Sequence, residues 1–279
     1  MFTFSVCCNE LILIYQTMQI QKRKSSPPLA SVIPITFERK SARFKGCLAL
    51  MEIPDENSLK ILDTDKYLNH TEDEQMRSFA TVQRKISYLA GRICAKEALV
   101  HYCGNRHEYV EFEIEKGIFD YPIVVSPALC PNLQVSISHC QDLSTAIAFH
   151  ESYPIGIDIE KITPKIMNLR EEWITRSEQN MAGGLAGESA VFFTAIWAAK
   201  EALSKILKTG LLIPFRLLEI ETIVSQPYGL ELSYKNFSQY KCMILILGNR
   251  VLALTIPKQT TVVWDFEKII RHNIVSDMV

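Results

Sequence analysis

The pentapeptide Ala-Lys-Glu-Ala-Leu occurs twice in this chain, at Ala95–Leu99 and again at Ala199–Leu203. Each copy lies inside the strongest helical pattern of its half. From Val82 to Tyr102 the residues Ile86, Leu89, Ala90, Ile93 and Ala98 recur at helical intervals, and Gly104 follows the end. From Ser189 to Lys208 a second such pattern runs up to Gly210. Strand-like segments follow both helices. All five residues are good or tolerated helix formers, so the repeat alone is only suggestive. With the strands that follow each helix it suggests two similar halves, each built from strands and one long helix.

The expected strands are Gly46–Ile53 (stopped by Pro54), 109–114, 134–138, 144–149, 155–159, 217–224, 229–234, 242–247 and 250–255. The segments 144–149 and 155–159 flank His150–Pro154, which reads as a hairpin connection. Thr71 and Glu74 have capping-box spacing at a helix start. A further helix is expected over Pro164–Trp173, then a small-residue loop at Ala182–Gly187. This predicts an N-terminal extension over 1–42, subdomains over 43–150 and 151–257, and a tail over 258–279. The basic run Lys22-Arg23-Lys24 and Pro27, Pro28 and Pro34 make the extension a loosely packed segment with at most one strand.

Bulk properties narrow the function classes. Thirty basic against 31 acidic residues give a net charge of -1, which argues against a nucleic-acid coat or a polybasic membrane binder. No run of eighteen apolar residues occurs, so no membrane span is expected. The apolar start lacks a basic n-region and contains Glu10, so it reads poorly as a signal peptide. The eight cysteines form no CxxC pair and no zinc spacing, and read as thiols of a reducing cytoplasm.

Three short motifs carry chemistry. In Gly156-Ile157-Asp158-Ile159-Glu160, strand alternation puts Asp158 and Glu160 on one face. Glu201 and Lys205 share a helix face one turn apart. Three carboxylates suit a hard divalent cation, and lysines suit the phosphates that accompany one. The plainer alternatives are a solvent-facing acidic pair on an edge strand and an ordinary helical salt pair. In Val135–Cys140 the hydroxyls of Ser136 and Ser138 share a face and His139 falls at the strand end. No Gly-x-Ser-x-Gly elbow accompanies them, so they read as phosphate-binding groups or as a capped strand end.

Together, Ile137–Cys140 (ISHC), Gly156–Glu160 (GIDIE) and Trp197–Lys205 (WAAKEALSK) resemble the signature of the 4'-phosphopantetheinyl transferase superfamily. The match is to its larger, monomeric Sfp type, which activates carrier domains of polyketide, non-ribosomal peptide and sometimes fatty-acid synthases. The similarity spans residues 46 to 256. It implies an α+β fold of two similar subdomains related by pseudo-two-fold symmetry, each a small antiparallel sheet packed with a long helix. It implies Mg2+ held by Asp158, Glu160 and Glu201. It places Ser138 and His139 beside the coenzyme A phosphates, Lys205 on the pyrophosphate and Arg92 at the 3'-phosphate, with Lys85 and Lys96 as basic neighbours. Glu178 corresponds to a glutamate proposed as base, and Lys200 to a lysine that assists proton transfer or fixes the adjacent acid; Lys205 is counted with them as catalytic.

The implied reaction moves phosphopantetheine from coenzyme A to a serine of an apo acyl or peptidyl carrier protein and releases 3',5'-ADP. The implied protein is a cytoplasmic monomer with no nucleic-acid or membrane partner. Segment 163–190, with Ile166, Met167, Leu169, Trp173 and Ile174, is the expected carrier contact. One departure stands out: where the family has Gly-Lys-Pro, this chain has Tyr121 in place of the lysine. The rival readings are a carrier-binding module without chemistry and an unrelated metal-dependent phosphohydrolase.

Overall fold

The structure, a computed structural model, describes residues 30–40, 42–56, 63–125, 127–128, 130–168, 173–183 and 189–265. The basic run at 22–24, Cys7, Cys8, Leu169 and the loop at 184–187 lie outside the described residues.

Two five-stranded antiparallel sheets, each packed against one long helix, make up the α+β fold. The first sheet has the order β12-β1-β2-β6-β5. Its strands are β1 (Ser31–Arg39), β2 (Ala42–Glu52), β5 (Leu133–His139), β6 (Leu143–His150) and β12 (Thr261–Trp264). The second has the order β7-β11-β10-β9-β8. It contains β7 (Gly156–Lys161), β8 (Ile220–Gln226), β9 (Gly229–Tyr234), β10 (Tyr240–Leu247) and β11 (Arg250–Pro257). A small ribbon of β3 (Glu113–Lys116) and β4 (Pro122–Val125) stands apart. The helices are α1 (His70–Ser78), α2 (Val82–Tyr102), α3 (Arg176–Gly183) and α4 (Ser189–Leu207).

Side-chain alternation stacks these elements in four layers. In β2, Cys47, Ala49 and Met51 join Leu89, Ile93 and Ala98 of α2 in one core. Leu48 and Leu50, on the other face of β2, pack with Ile157, Ile159, Leu252 and Leu254 of the second sheet. In β11, Val251 and Ala253 turn the opposite way, toward Ile196, Ala199 and Leu203 of α4. The order is therefore helix, sheet, sheet, helix, and β2 and β11 bury apolar side chains on both faces.

The two halves repeat one arrangement. β2 leads into α2, and the hairpin β5–β6 returns so that β6 lies beside β2. β7 leads into α4, and the hairpin β10–β11 returns so that β11 lies beside β7. The duplicated pentapeptide occupies the same stretch of the two core helices.

Several local expectations need correction. Residues 150–154 do not close a hairpin: β6 is already paired on both sides by β2 and β5, so the chain crosses to the second sheet. The capping box of α1 is Asn69 with Glu72, not Thr71 with Glu74. Residues 109–111 form a 3-10 turn, and the strand begins only at Glu113. Among the described residues, 164–168 is a 3-10 turn. Two strands lie outside the two expected subdomains: β1, the one strand allowed for in the extension, pairs along its full length with β2, because Ile33, Ile35 and Phe37 alternate into the core, and β12 closes the outer edge of the first sheet.

Gly156 opens β7 where α4 crosses it. A Cβ built there would stand 1.9 Å from the carbonyl oxygen of Ala202, so the close approach is to helix backbone and not to a ligand. Gly156→Ala is expected to cost about 3 kcal/mol or more, because neither backbone can yield without moving the whole helix. Urea unfolding that shows a loss below about 1 kcal/mol would contradict this contact.

Candidate active site

β7 delivers Asp158 and Glu160 to the face covered by α4, and α4 supplies Glu201. Ligand oxygens of the three carboxylates lie within 4.8 Å of one another. Asp158 is 1% exposed. Its Oδ1 accepts from Ser138 Oγ at 2.6 Å and from Lys205 Nζ at 2.8 Å, while Oδ2 is buried with no hydrogen-bond partner. Glu160 Oε1 accepts from the Trp197 indole at 3.1 Å. Lys205 also donates to the carbonyl of Ile157 at 2.8 Å.

One ammonium serves three acids, and the electrostatics show the excess. Burial, then the charge of Asp158, pushes Glu160 up to about 7 against the opposing Trp197 hydrogen bond. Burial and Asp158 push Glu201 up to about 8, although Lys205 pulls it down. Clustered carboxylates that hold protons near neutrality, with one buried oxygen unpartnered, fit a hard divalent cation with oxygen ligands.

Beside this cluster, on the first half, lies a groove lined by Arg84, Arg92, Lys116, His139 and Tyr88, among others. Loss of solvent around the ring, and then the charges of Arg84 and Lys205, hold His139 below the ordinary histidine pKa. Three cationic side chains, Arg84, Arg92 and Lys116, outnumber the acids Glu115 and Asp120 in this concavity, and with the imidazole of His139 they suit an anion. His139 adjoins Ser138, which touches Asp158, so groove and acid cluster are contiguous.

The expected site residues separate into those that converge and those that do not. Asp158, Glu160, Glu201, Lys205, Ser138 and His139 come together. Ser138, however, is spent on Asp158 and does not line the anion groove; its neighbour Ser136 accepts the Ile157 N–H at 3.0 Å and so caps the free edge of β7. Arg92 lines the groove, but its guanidinium is held over Tyr88 and donates to the carbonyl of Ile114 at 2.9 Å. Arg84, not Lys85, enters the groove. The helix phase accounts for this: Lys85 sits one turn before the buried Leu89, whereas Arg84 precedes Tyr88.

Lys96 does not line the groove. It is fully buried and bound to Glu72, whose other oxygen accepts from the Ile114 N–H at 3.2 Å. Glu178 and Lys200 repeat this arrangement in the second half. Both are 0% exposed; Lys200 Nζ donates to Glu178 Oε2 at 2.9 Å, and Glu178 Oε1 accepts from the Ile220 N–H at 2.8 Å. Each glutamate closes a capping box, with Asn69 in one half and with Thr175 in the other. The same device stands in a half whose leading strand turns Cys47, Ala49 and Met51 toward its helix, with no acid cluster there among the described residues. A sealed glutamate with both oxygens engaged cannot take a proton from an incoming substrate. Burial and pairing favour a structural role for Glu178 and Lys200 over the expected catalytic one.

Trp173 and Ile174, expected at a carrier surface, are 5% and 3% exposed in the core under α4. Tyr121 stands where a lysine was expected, and the ammonium of Lys208 lies 4.7 Å from its ring centre. Among the described residues, no helix is long and apolar enough to cross a membrane.

Comparison with known proteins agrees with this geometry. Residues 154–255 match the family model of the 4'-phosphopantetheinyl transferase superfamily. The chain is 25% identical over 148 residues to the 4'-phosphopantetheinyl transferase psf-1 of Bacillus pumilus, covering 50% of this chain and 62% of that protein. A holo-(acyl-carrier-protein) synthase from Bacillus anthracis, solved in complex with CoA (3',5'-ADP), is 17% identical. It aligns over 43% of this chain and 96% of its own with a TM-score of 0.33, a likeness too low to support anything further. The stretch that holds Asp158, Glu160 and Glu201 is thus the part of this chain similar to the 4'-phosphopantetheinyl transferase superfamily, residues 154–255.

Proposed function

We propose that this protein transfers the 4'-phosphopantetheine arm of coenzyme A to a serine of an apo acyl or peptidyl carrier protein, with Mg2+ held by Asp158, Glu160 and Glu201. The observation that carries this reading is the contiguity of a three-carboxylate cluster with a basic groove. A substrate with a pyrophosphate and a distant third phosphate needs both at once.

In this reading Arg84, Lys116 and His139 bind the 3'-phosphate end, with Arg92 held beside them by its carbonyl contact. Lys205, already oriented by Asp158 and Ile157, meets the pyrophosphate. When bound, Mg2+ supplies Lewis-acid polarisation of the phosphoryl group and charge stabilisation on the leaving side. The carrier serine oxygen bonds to the β-phosphorus, the bridge to the α-phosphate breaks, and 3',5'-ADP leaves with the electron pair. A water held by Glu160 takes the serine proton. No residue of this chain is covalently modified.

The test is release of 3',5'-ADP from coenzyme A by the purified protein with Mg2+. Release that requires an apo carrier supports transfer; release with water alone favours a phosphohydrolase; carrier binding without release favours an inactive module.

The raised carboxyls set a pH dependence. Glu160 and Glu201 bind protons below about 7 and about 8, and a cation must displace those protons. Mg2+ affinity is expected to rise from pH 6 to 8.5 and to flatten above. Calorimetry in two buffers of different ionisation heat should show proton release at pH 7, and no release there would contradict the shared site.

A further inference from the structure

Away from the acids, a second contact fastens the hairpin of Ser138 and His139 to the other half. Between β5 and β6 the chain turns through Cys140, Gln141 and Asp142, closed by the Cys140 N–H donating to Leu143 at 2.9 Å. Asp142 Oδ1 accepts from Arg250 Nε at 2.9 Å and from Cys140 Sγ at 3.4 Å. Its Oδ2 accepts from Arg250 Nη2 at 2.7 Å and from Lys161 Nζ at 3.2 Å. Arg250 and Lys161 are cross-strand partners at the ends of β11 and β7, and Lys161 directly follows Glu160. Arg250 is 4% exposed and the Asp142 side chain 37%, so the fork is fixed in direction by its buried arginine while its carboxylate stays partly open to solvent.

The other side-chain ties between the two strands are short hydroxyl contacts, Ser136 to the Ile157 N–H and Ser138 to Asp158. Both require β5 to lie at a set distance from β7. We infer that Asp142, Arg250 and Lys161 form a clasp that sets this distance and keeps the basic groove of one half within reach of the acid cluster of the other. They are positioning residues: none lines the groove or belongs to the acid cluster. Only the consequence for turnover rests on the transferase reading.

Asp142→Asn on the full chain keeps the side-chain size and removes the charge. Amide hydrogen exchange reads the clasp without any ligand. Exchange at Ile157, whose N–H is given to Ser136, is expected to speed up about tenfold or more, while ladder amides within β10 keep their rates. Unchanged exchange at Ile157 would overturn the clasp. Arg250→Lys, which keeps charge but loses the fork, should give an intermediate rate; a wild-type rate would also count against it.

Where wild type transfers phosphopantetheine, Asp142→Asn should lower kcat about 10- to 100-fold, the scale on which supporting partners of a metal site act. A local structural role would lower the melting temperature without changing kcat per folded molecule. Were wild type to transfer nothing, the transferase reading would fall, and the exchange rates would still decide the clasp.

Discussion

Glu201→Gln is expected to lower carrier modification by about 10^3-fold or more, the loss that follows when several kcal/mol of transition-state charge stabilisation is removed. Asp158→Asn should do the same. The two variants separate binding from folding in different ways. Asp158 holds Lys205 and Ser138, so its replacement loosens the contact between the halves. Glu201 has no such duty, and its carboxyl is held up near 8 by burial and by Asp158.

A carboxyl whose folded pKa lies above its unfolded value contributes stability at low pH that is lost as pH rises through the folded value. Metal-free Glu201→Gln should therefore melt at the same temperature as wild type only at or below the ordinary glutamate pKa of about 4.5, and at a higher temperature at pH 8.5. Added Mg2+ should raise the wild-type melting temperature at pH 8.5 and leave the variant little changed. Equal turnover by Glu201→Gln and wild type would remove the metal assignment.

The second large effect concerns the duplicated buried pairs. Lys200→Met leaves Glu178 charged, sealed and facing no cation, and should cost about 3–5 kcal/mol. Lys96→Met should cost a similar amount in the other half, because Glu72 is then stranded in the same way. In a chain of this size that corresponds to a fall in melting temperature of roughly 10 °C. Replacing both members together, as in Glu178→Leu with Lys200→Met, should recover much of the loss, since no unpaired charge remains. Thermal unfolding monitored by circular dichroism checks all three. If Lys200→Met keeps the wild-type melting temperature but shifts the pH–rate profile, the pair is catalytic and the structural account of Glu178 fails.

The parts of this architecture that announce themselves in sequence are those with strong periodicity. Both long helices could be read from apolar spacing, and most strands of the second sheet from alternation between turns. The acid cluster was legible because Asp158 and Glu160 share a strand face and Glu201 sits on a helix that must cover it. Less legible was anything set by a partner distant in the chain. Nothing local to Lys96 says that its ammonium meets Glu72 inside the core; a lysine on an apolar helix face looks the same whether it snorkels outward or is sealed.

The signal that was available is the repeat itself. Lys96 and Lys200 occupy the same place in the two pentapeptides, and an equivalent role in a half without acids argues for structure over catalysis. Helix phase could likewise have chosen Arg84 over Lys85. The clasp of Asp142 and Arg250 joins residues far apart in the chain, and no spacing rule connects them. β12 was missed because a short strand such as Thr-Val-Val-Trp has meaning only beside an edge that needs covering.

The most direct measurement is the intact mass of an apo carrier protein after incubation with coenzyme A, Mg2+ and the purified protein. A gain of one phosphopantetheine arm on the carrier is expected, abolished by chelator and by Glu201→Gln, with this chain's own mass unchanged. An unmodified carrier across acyl and peptidyl types, with folded protein and Mg2+ present, would contradict the transferase assignment.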